Sequence, residues 1–447
     1  MTTTVLPPGP SVPRAVQGAY ALTVPGRGVR QMRERYGDAF SVNVPIFGHA
    51  LVLANPAEVK QLFLARSDAV ENIRPNLGRV LGPGSFFALV GEAHREQRKL
   101  LVPPFHGRRL AAFERIVEDE AARELASWPR DREFATLPSM MRITLNAILR
   151  AVFGARGAEL DRLRRLLPTM VTLGSRLASV PLPRTTLGPW GWFRRMRRRY
   201  DEVVDRLITA ASRDDRLDDR DDVLALLVQS RHDDGSPLGR DRIADQLLTL
   251  LSAGHETTAT TLAWAVERIR RHPDVLRGLV EEVDAGGRAL RDATLLEVQR
   301  TRPVIDLVGR MVTAESFELG RWTLPRGHKV LVGISLLHGD DSLFPNAAAF
   351  DPNRFLDAKP DLYEWIPFGG GTRRCIGAAF ATMEMDVVLR TLLRDFHLDP
   401  TDERDERWHL RGVANAPGRG GRAVVRRRDR TTRPAPPTPT GPRAANT

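Results

Sequence analysis

The chain has one cysteine, Cys375, in 447 residues. A single thiol excludes an intrachain disulfide framework and any cysteine-rich zinc site, and it fits a reducing compartment. Long apolar runs are missing as well. No window approaches the ~18 uninterrupted apolar residues of a membrane span, so no transmembrane anchor is expected. The N-terminal MTTTVLPPGPSVPRAVQGAYALTVPG has no basic segment followed by an apolar core and does not read as a signal peptide. Together these absences predict a soluble, cytoplasmic protein. The sequence holds no phosphate loop and no dinucleotide fingerprint, and HETTA (255–259) lacks the second histidine of a zinc-protease helix. It also holds no internal repeat, and no linker divides it.

Charge of one sign is in excess, but unevenly. The net charge is +12. Between Arg422 and Thr447 seven arginines stand against Asp429 alone, a balance of +6, so half the excess sits in the last segment. That concentration weakens the reading of a basic protein as a nucleic-acid binder, and no nucleic acid is expected as a partner. The Arg- and Pro-rich composition of residues 426–447 predicts a disordered tail. With 42% hydrophobic and 27% charged residues, the composition is ordinary for a globular protein and supplies a large core.

Along the chain, residues 1–24 read as a Pro-rich arm. FSVNVPIFGHALVLAN (40–55) carries two β-prone runs about a glycine, which predicts a hairpin. PAEVKQLFLAR then starts a helix on a proline. Residues 71–91 are loop-rich, and from there to about 275 the pattern is helical, with breaks at SVPLPRTTLGPWGW (179–192) and at RDDRLDDRDD (213–222), the latter a solvated loop or helix end. A long helix is expected from Arg240 to His272, closed by Pro273. Residues 317–338 read as short strands, and 379–396 as a helix. The fold expected is mainly α with a small β region, in a single large domain.

The cysteine stands in PFGGGTRRCIG (367–377), after Gly369, Gly370 and Gly371 and before a helix. Glycines permit positive φ and close backbone approach. Loop N–H groups, a helix N-terminus and the neighbouring Arg373 and Arg374 would favour a thiolate, which is a metal ligand or a nucleophile. Taken alone, a lone cysteine is more often buried and inert. The spacing changes this: Phe368, Gly371, Arg373, Cys375 and Gly377 form F-x-x-G-x-R-x-C-x-G, which resembles the heme-binding signature of the cytochromes P450, the heme-thiolate monooxygenases.

The resemblance implies that Cys375 is the proximal thiolate ligand of the iron of heme b (iron protoporphyrin IX). It implies that Arg373 binds a heme propionate, that Phe368 packs near the sulfur, and that Gly371 and Gly377 let the loop and helix approach the porphyrin. Other segments agree in order over roughly residues 25–425, the expected heme domain. AGHETT (253–258) interrupts an apolar helix with residues that are poor helix-interior choices, and it resembles the family's acid–alcohol pair. Glu256 and Thr257 would then deliver protons to the oxygen being reduced, and Ala253 and Gly254 would leave room for it. Glu297 and Arg300 in EVQR, with Arg354 in FDPNRF, resemble the family's buried Glu–Arg–Arg network, although Val298-Gln299 replaces the usual Thr-Leu. His94 and Arg98, spaced i,i+4, and Arg310 in VGRMVT would be propionate contacts. Alone, Glu297 with Arg300 is most simply a pair on an exposed helix, and His94 with Arg98 reads equally as a charged surface helix.

The resemblance further implies insertion of one atom of O2 into a small apolar substrate, of lipid, steroid, terpenoid or polyketide class. Electrons would come from NAD(P)H through a ferredoxin- or flavodoxin-type donor and its reductase, and the protein is expected to be a monomer. Arg98, Lys99, Arg108, Arg109 and Arg374 would face an acidic donor on the proximal side. Substrate contacts are expected from 71–90, 170–192, Leu247, Leu250, Leu251, Val304 to Leu307 with Asp306 the polar exception, and Val413 to Ala416. Two other readings stay open: a family member with isomerase, dehydratase or peroxygenase chemistry, and a non-catalytic heme or ligand binder. A retained Glu256–Thr257 pair argues against the first.

Overall fold

The computed structural model describes residues 5–23, 27–45, 47–73, 77–154, 157–179, 187–232 and 234–429. Helices α1 (Arg14–Thr23) and α2 (Arg27–Tyr36) precede a hairpin of β1 (Ala39–Val44) and β2 (Gly48–Leu53), then α3 (Pro56–Leu64), β3 (Val70–Asn72) and α4 (Leu77–Leu81). The helical body comes next: α5 (Gly91–Leu101), α6 (Arg108–Ala126), the short β4 (Phe134–Ala135), α7 (Leu137–Phe153), α8 (Ala158–Ser179), α9 (Gly188–Ser212), α10 (Val223–Gln229), α11 (Arg240–Arg270), α12 (Pro273–Asp284) and α13 (Ala289–Thr301). Strands β5 (Leu307–Val312), β6 (Ser316–Leu319), β7 (Trp322–Pro325) and β8 (Lys329–Gly333) lead to α14 (Ile334–His338). After the cysteine loop come α15 (Ala378–Asp395), β9 (Phe396–Leu398), β10 (Trp408–Arg411), β11 (Ala414–Pro417), β12 (Arg422–Ala423) and β13 (Val425–Arg427).

Local chemistry explains the main boundaries. Asn55 caps α3, its side chain accepting from the N–H groups of Ala57 and Glu58, and Pro56 needs no donor there. Gly154 ends α7 in the left-handed region at φ 66°. One five-stranded sheet has the order β1-β2-β8-β5-β3, with β2 and β8 parallel and the other neighbours antiparallel. Its register sets Asn72 of β3 opposite Arg310 of β5. The remaining strands form two-stranded pairs.

Helix α11 organises the body. At 31 residues it is about 46 Å long. Its first half, through Leu247, Leu248, Leu250 and Leu251, belongs to one apolar core built with α7, α8 and α9. Its second half, from Ala259 through Leu262, Trp264 and Ile269, belongs to another, built with α6, α7 and α15. Residues 252–257 lie at the seam between the two cores. A helix buried along 243–251 and 258–270 can thus carry polar residues between them without breaking either core.

Three expectations need correction. Residues 334–338 form a helix, not a strand; a short apolar run fits either, and here β8 ends at Gly333. The long helix stops at Arg270, because Pro273 starts α12 rather than closing α11. Order also continues past 425. Arg426 and Arg427 pair with β9, and Arg428 Nη1 donates to Asp284 (3.0 Å) and to the Leu393 carbonyl (2.9 Å). Residues 430–447 of the expected tail and 180–186 of the expected break lie outside the described residues. The N-terminal segment docks: Val5 bridges Thr323, and the Pro8 carbonyl accepts from Ser41 N–H (2.8 Å). Among the described residues no helix is long and apolar enough to cross a membrane.

Candidate active site

The cysteine loop is folded back on itself. Cys375 N–H donates to the Phe368 carbonyl (3.0 Å), and Gly371–Arg373 make a 3-10 turn before α15 begins. Phe368 stacks edge-on against Trp365, whose Nε1 donates to Leu296 of α13. Gly371 sits at φ +65°, and a Cβ there would lie 2.3 Å from the Phe63 carbonyl oxygen. The end of α3 therefore demands its lack of a side chain. Gly377 meets nothing closer than the Cys375 sulfur, 4.0 Å away, so no protein contact accounts for it.

Cys375 has accessible surface, yet enough protein surrounds it that desolvation raises its thiol pKa, outweighing the Gly377 N–H, Arg374 and Arg98. A side chain both accessible and hemmed in lies in a recess of the protein. The expected thiolate is thus not produced by the protein alone; a cation bound at sulfur would produce it. A hydrolase reading fails on geometry, since His338 uses Nδ1 at the Arg300 carbonyl and Nε2 as acceptor from Ile366 N–H, with its pKa pushed down to about 3 by burial.

Beside the loop lies a cluster of basic groups. His94, on α5, is buried, and among the described residues its Nε2 has no hydrogen-bond partner. Burial, then Arg373, pushes its pKa down to about 4. Arg310, on β5, donates to the Gly370 carbonyl (3.0 Å); burial and the neighbouring Arg373 bring it down to about 10. Arg373 Nη2 reaches Glu71 (2.6 Å) and the Leu89 carbonyl (2.9 Å). Arg98 is half-buried, and its Nη1 donates to the Arg374 carbonyl (2.8 Å). Of the other expected docking residues, Lys99 and Arg374 are exposed, and the side chains of Arg108 and Arg109 lie outside the described residues.

On α11 the accessible residues in an otherwise buried stretch are Ser252, Ala253, Gly254 and Thr257. Thr257 Oγ1 donates to the Ala253 carbonyl (2.7 Å). Gly254 is partly accessible, and a Cβ there would lie 3.3 Å from Ile148 of α7, so helix packing also favours a small residue. Glu256 is buried and accepts from Arg411 Nε (2.8 Å), and Arg411 also donates to Thr172 of α8 (3.3 Å). Thr258, one residue on, lies near Glu384 of α15, a fully buried carboxyl with no well-formed hydrogen bond, whose pKa burial raises well above the ordinary range.

Glu297, Arg300 and Arg354 come together as expected. Arg300 makes a two-pronged contact with Glu297 (2.7 and 2.6 Å) and donates to the carbonyls of His338, Ala347 and Ala349. Arg354 Nε lies 3.3 Å from Glu297, near enough for an ion pair though not aligned as a hydrogen bond. Asp306, expected to face substrate, instead accepts from Ser335 N–H at the start of α14 (2.9 Å), and Leu247 and Leu251 are wholly within the core.

Glu71, Arg411 and Glu384 escaped the sequence reading. Glu71 and Arg411 are single charges far in sequence from what they bind. Glu384 alone left a signal, an acid at a core position of a helix nine residues after the cysteine.

A family model described as Cytochrome P450 matches residues 7–420. The chain is 54% identical over 426 residues to a protein of Mycobacterium tuberculosis described as putative cytochrome P450 138, covering 95% of this chain and 97% of that one. It is 38% identical over 434 residues to putative cytochrome P450 135B1 of the same species, covering 94% and 91%. Among solved structures, retinoic acid-bound cyanobacterial CYP120A1 superposes with a TM-score of 0.84 at 24% identity, over 95% of this chain and all of that one.

Proposed function

The chain belongs to the cytochrome P450 family and is a heme-thiolate monooxygenase, and on that premise we propose which of its residues carry the reaction. Cys375 holds the iron of heme b. His94, Arg98, Arg310 and Arg373 hold the propionates. Phe368 and Gly377 flank the sulfur. The observation that carries this reading is the pairing of a hemmed-in, accessible thiol with a buried cation cluster in which His94 Nε2 lacks a partner. Excess buried positive charge is costly unless an anion completes it, and two carboxylates fit.

Bound there, the heme supplies dioxygen activation, with one atom entering substrate and the other leaving as water. The residues of α11 manage protons. Thr257 gives its hydroxyl hydrogen to the Ala253 carbonyl, so its lone pairs can accept a hydrogen bond. Glu256 is held by Arg411, whose side chain is about a third exposed, so breaking that pair opens a route from solvent to the carboxyl. General acid transfer through Glu256 then needs one rotation and a water. Ala253, accessible on α11, and Gly254 would leave room for the oxygen. Glu297, Arg300 and Arg354 fix the loop's surroundings and do no chemistry.

The substrate is a small apolar molecule of lipid, steroid, terpenoid or polyketide class. Electrons arrive from NAD(P)H through a ferredoxin- or flavodoxin-type partner docking near Lys99 and Arg374. The protein works as a cytoplasmic monomer, with the heme domain ending at β13. The decisive experiment is the spectrum of the reduced, carbon-monoxide-bound protein. A red-shifted Soret band is expected, and Cys375→His should abolish both it and nearly all activity; an unchanged band in the variant would remove Cys375 from its role.

A further inference from the structure

Three segments bring the basic groups to the candidate propionate site: α5 brings His94 and Arg98, β5 brings Arg310, and the cysteine loop brings Arg373. All three converge on one side chain that is none of these. Glu71 Oε2 accepts from Gly91 N–H (2.8 Å), the first residue of α5. Its Oε1 accepts from Asn72 N–H (2.8 Å) and from Arg373 Nη2 (2.6 Å) and Nε (3.2 Å). Asn72 in turn stands opposite Arg310 in the β3–β5 register.

Two features show what this convergence does. The first is a missing cap. Helix α5 begins after Val90, which has no side chain able to cap it, and Gly91 is in the left-handed region at φ +55°. An uncapped first turn leaves N–H groups unsatisfied. Glu71 supplies the acceptor from 20 residues upstream, and its negative charge also suits the helix N-terminus. The second feature is charge. Arg98, Arg310 and Arg373 bring three positive charges, and Glu71 is the acid among the groups acting on His94, leaving +2. Two propionates bring −2. By holding Nε and Nη2 of Arg373, Glu71 also leaves Nη1 of that guanidinium for the ligand.

We propose that Glu71 is the positioning residue of the heme-propionate site, capping α5, aiming Arg373 and setting the site's charge to match two propionates. This rests on the heme reading above. Without Glu71 the site would carry one more positive charge, which favours addition of an electron to the heme, so the reduction potential should rise.

The test uses the full-length heme-loaded protein. The wild type must first show the carbon-monoxide band of thiolate ligation; its absence would overturn the heme reading and, with it, the premise of the proposal. Given that band, the midpoint potential and the rate of heme transfer to apomyoglobin are measured for Glu71→Gln and Glu71→Asp. Glu71→Gln should shift the potential upward with the Soret position unchanged. Glu71→Asp keeps the charge but falls short of Gly91, so its potential should stay at the wild-type value while heme loss speeds up roughly fivefold, the scale of a lost cap. An unshifted potential in Glu71→Gln, or an equal shift in both variants, overturns the proposal and leaves the heme reading standing. If Glu71→Gln takes up no heme, the double variant Glu71→Gln/Arg98→Gln decides. It restores +2 and should load heme; continued failure to load overturns the charge-matching role.

Discussion

The Glu297–Arg300–Arg354 cluster and the Arg98–Arg310–Arg373 cluster both draw arginines largely out of water, yet the first supplies its own acceptors far more completely than the second. Glu297 accepts from Arg300 and from Asp351 N–H and forms an ion pair with Arg354, whose Nε lies near without a hydrogen bond, and Arg300 fills its remaining donors with backbone carbonyls. In the second cluster, among the described residues, Arg373 alone pairs with a carboxylate, that of Glu71, His94 Nε2 has no hydrogen-bond partner, and burial holds Arg98 and Arg310 below their ordinary pKa. Buried charge that is satisfied from within fixes a fold, whereas buried charge left incomplete waits for a ligand. The same contrast runs along α11, where two apolar cores are complete and the seam between them is not.

The strongest test of this contrast is Glu297→Gln. It leaves Arg300 and Arg354 buried without a carboxylate, and removing one partner of a buried ion pair costs about 3–5 kcal/mol. That is a large share of the roughly 5–15 kcal/mol by which a typical protein is stable. Denaturant unfolding of the heme-free and heme-loaded forms should show a similar loss in both. A loss confined to the loaded form would mean the closed cluster is part of the ligand site after all.

Arg310→Met should behave in the opposite way. The heme-free protein loses an uncompensated buried cation and two carbonyl contacts, which roughly offset, so its stability should change by less than about 1 kcal/mol. The loaded protein loses a charged hydrogen bond and should release heme to apomyoglobin about tenfold faster, as the roughly 1.5–3 kcal/mol of such a bond implies. A variant equally destabilised without heme would place Arg310 in the architecture.

A smaller effect separates the clusters by pH. His94 and His338 have folded pKa values of about 4 and about 3, both below the ordinary 6.5. A histidine depressed on folding binds its proton better in the unfolded chain. Stability is therefore whole above about pH 6.5 and falls as pH drops toward the folded pKa. Heme propionates near His94 would raise its pKa and shorten its window, while His338 in the closed region is unaffected. The slope of stability between about pH 6.5 and 4 should accordingly be steeper without heme, and His94→Asn should remove that difference. Parallel slopes in the wild type would break the comparison.

Legibility in the sequence runs along the same division. The cysteine loop could be read because its chemistry demands residues at fixed near spacing, and Glu297 with Arg300 because one helical turn joins them. Glu71 could not, since it acts on Arg373 across 302 positions and is one carboxylate in a loop-rich stretch. Arg411 meets Glu256 across 155 positions for the same reason. Residue roles were harder to read than residue identities. Gly371 and Gly254 were expected to make room for ligands, and the further constraints on them from the Phe63 carbonyl and Ile148 could not be read. Such contacts depend on which elements meet in three dimensions, and no local pattern records that. The strand expected over 334–338 failed because an apolar run of five fits either period.

The finest distinction lies at the seam of α11, where a single hydroxyl is at stake. Thr257→Ala removes a side chain whose one hydrogen bond returns to its own helix. Alanine is the better helix former, so stability should move by no more than about 0.5 kcal/mol. Heme content, the carbon-monoxide band and substrate binding should stay as in the wild type, because no propionate or sulfur contact is touched. What changes is where protons go. With the acceptor at 257 gone, protons from Glu256 are no longer held in place, and reducing equivalents leave as hydrogen peroxide. NAD(P)H consumption should continue while product per NAD(P)H falls and peroxide rises to match. Thr257→Ser keeps the oxygen and should keep the coupling, which separates a hydroxyl role from a packing one. Full coupling in Thr257→Ala would show that the accessible face of α11 is open for shape alone. Repeating the measurement with a second substrate that carries no hydroxyl would exclude the case in which the substrate itself supplies the missing acceptor.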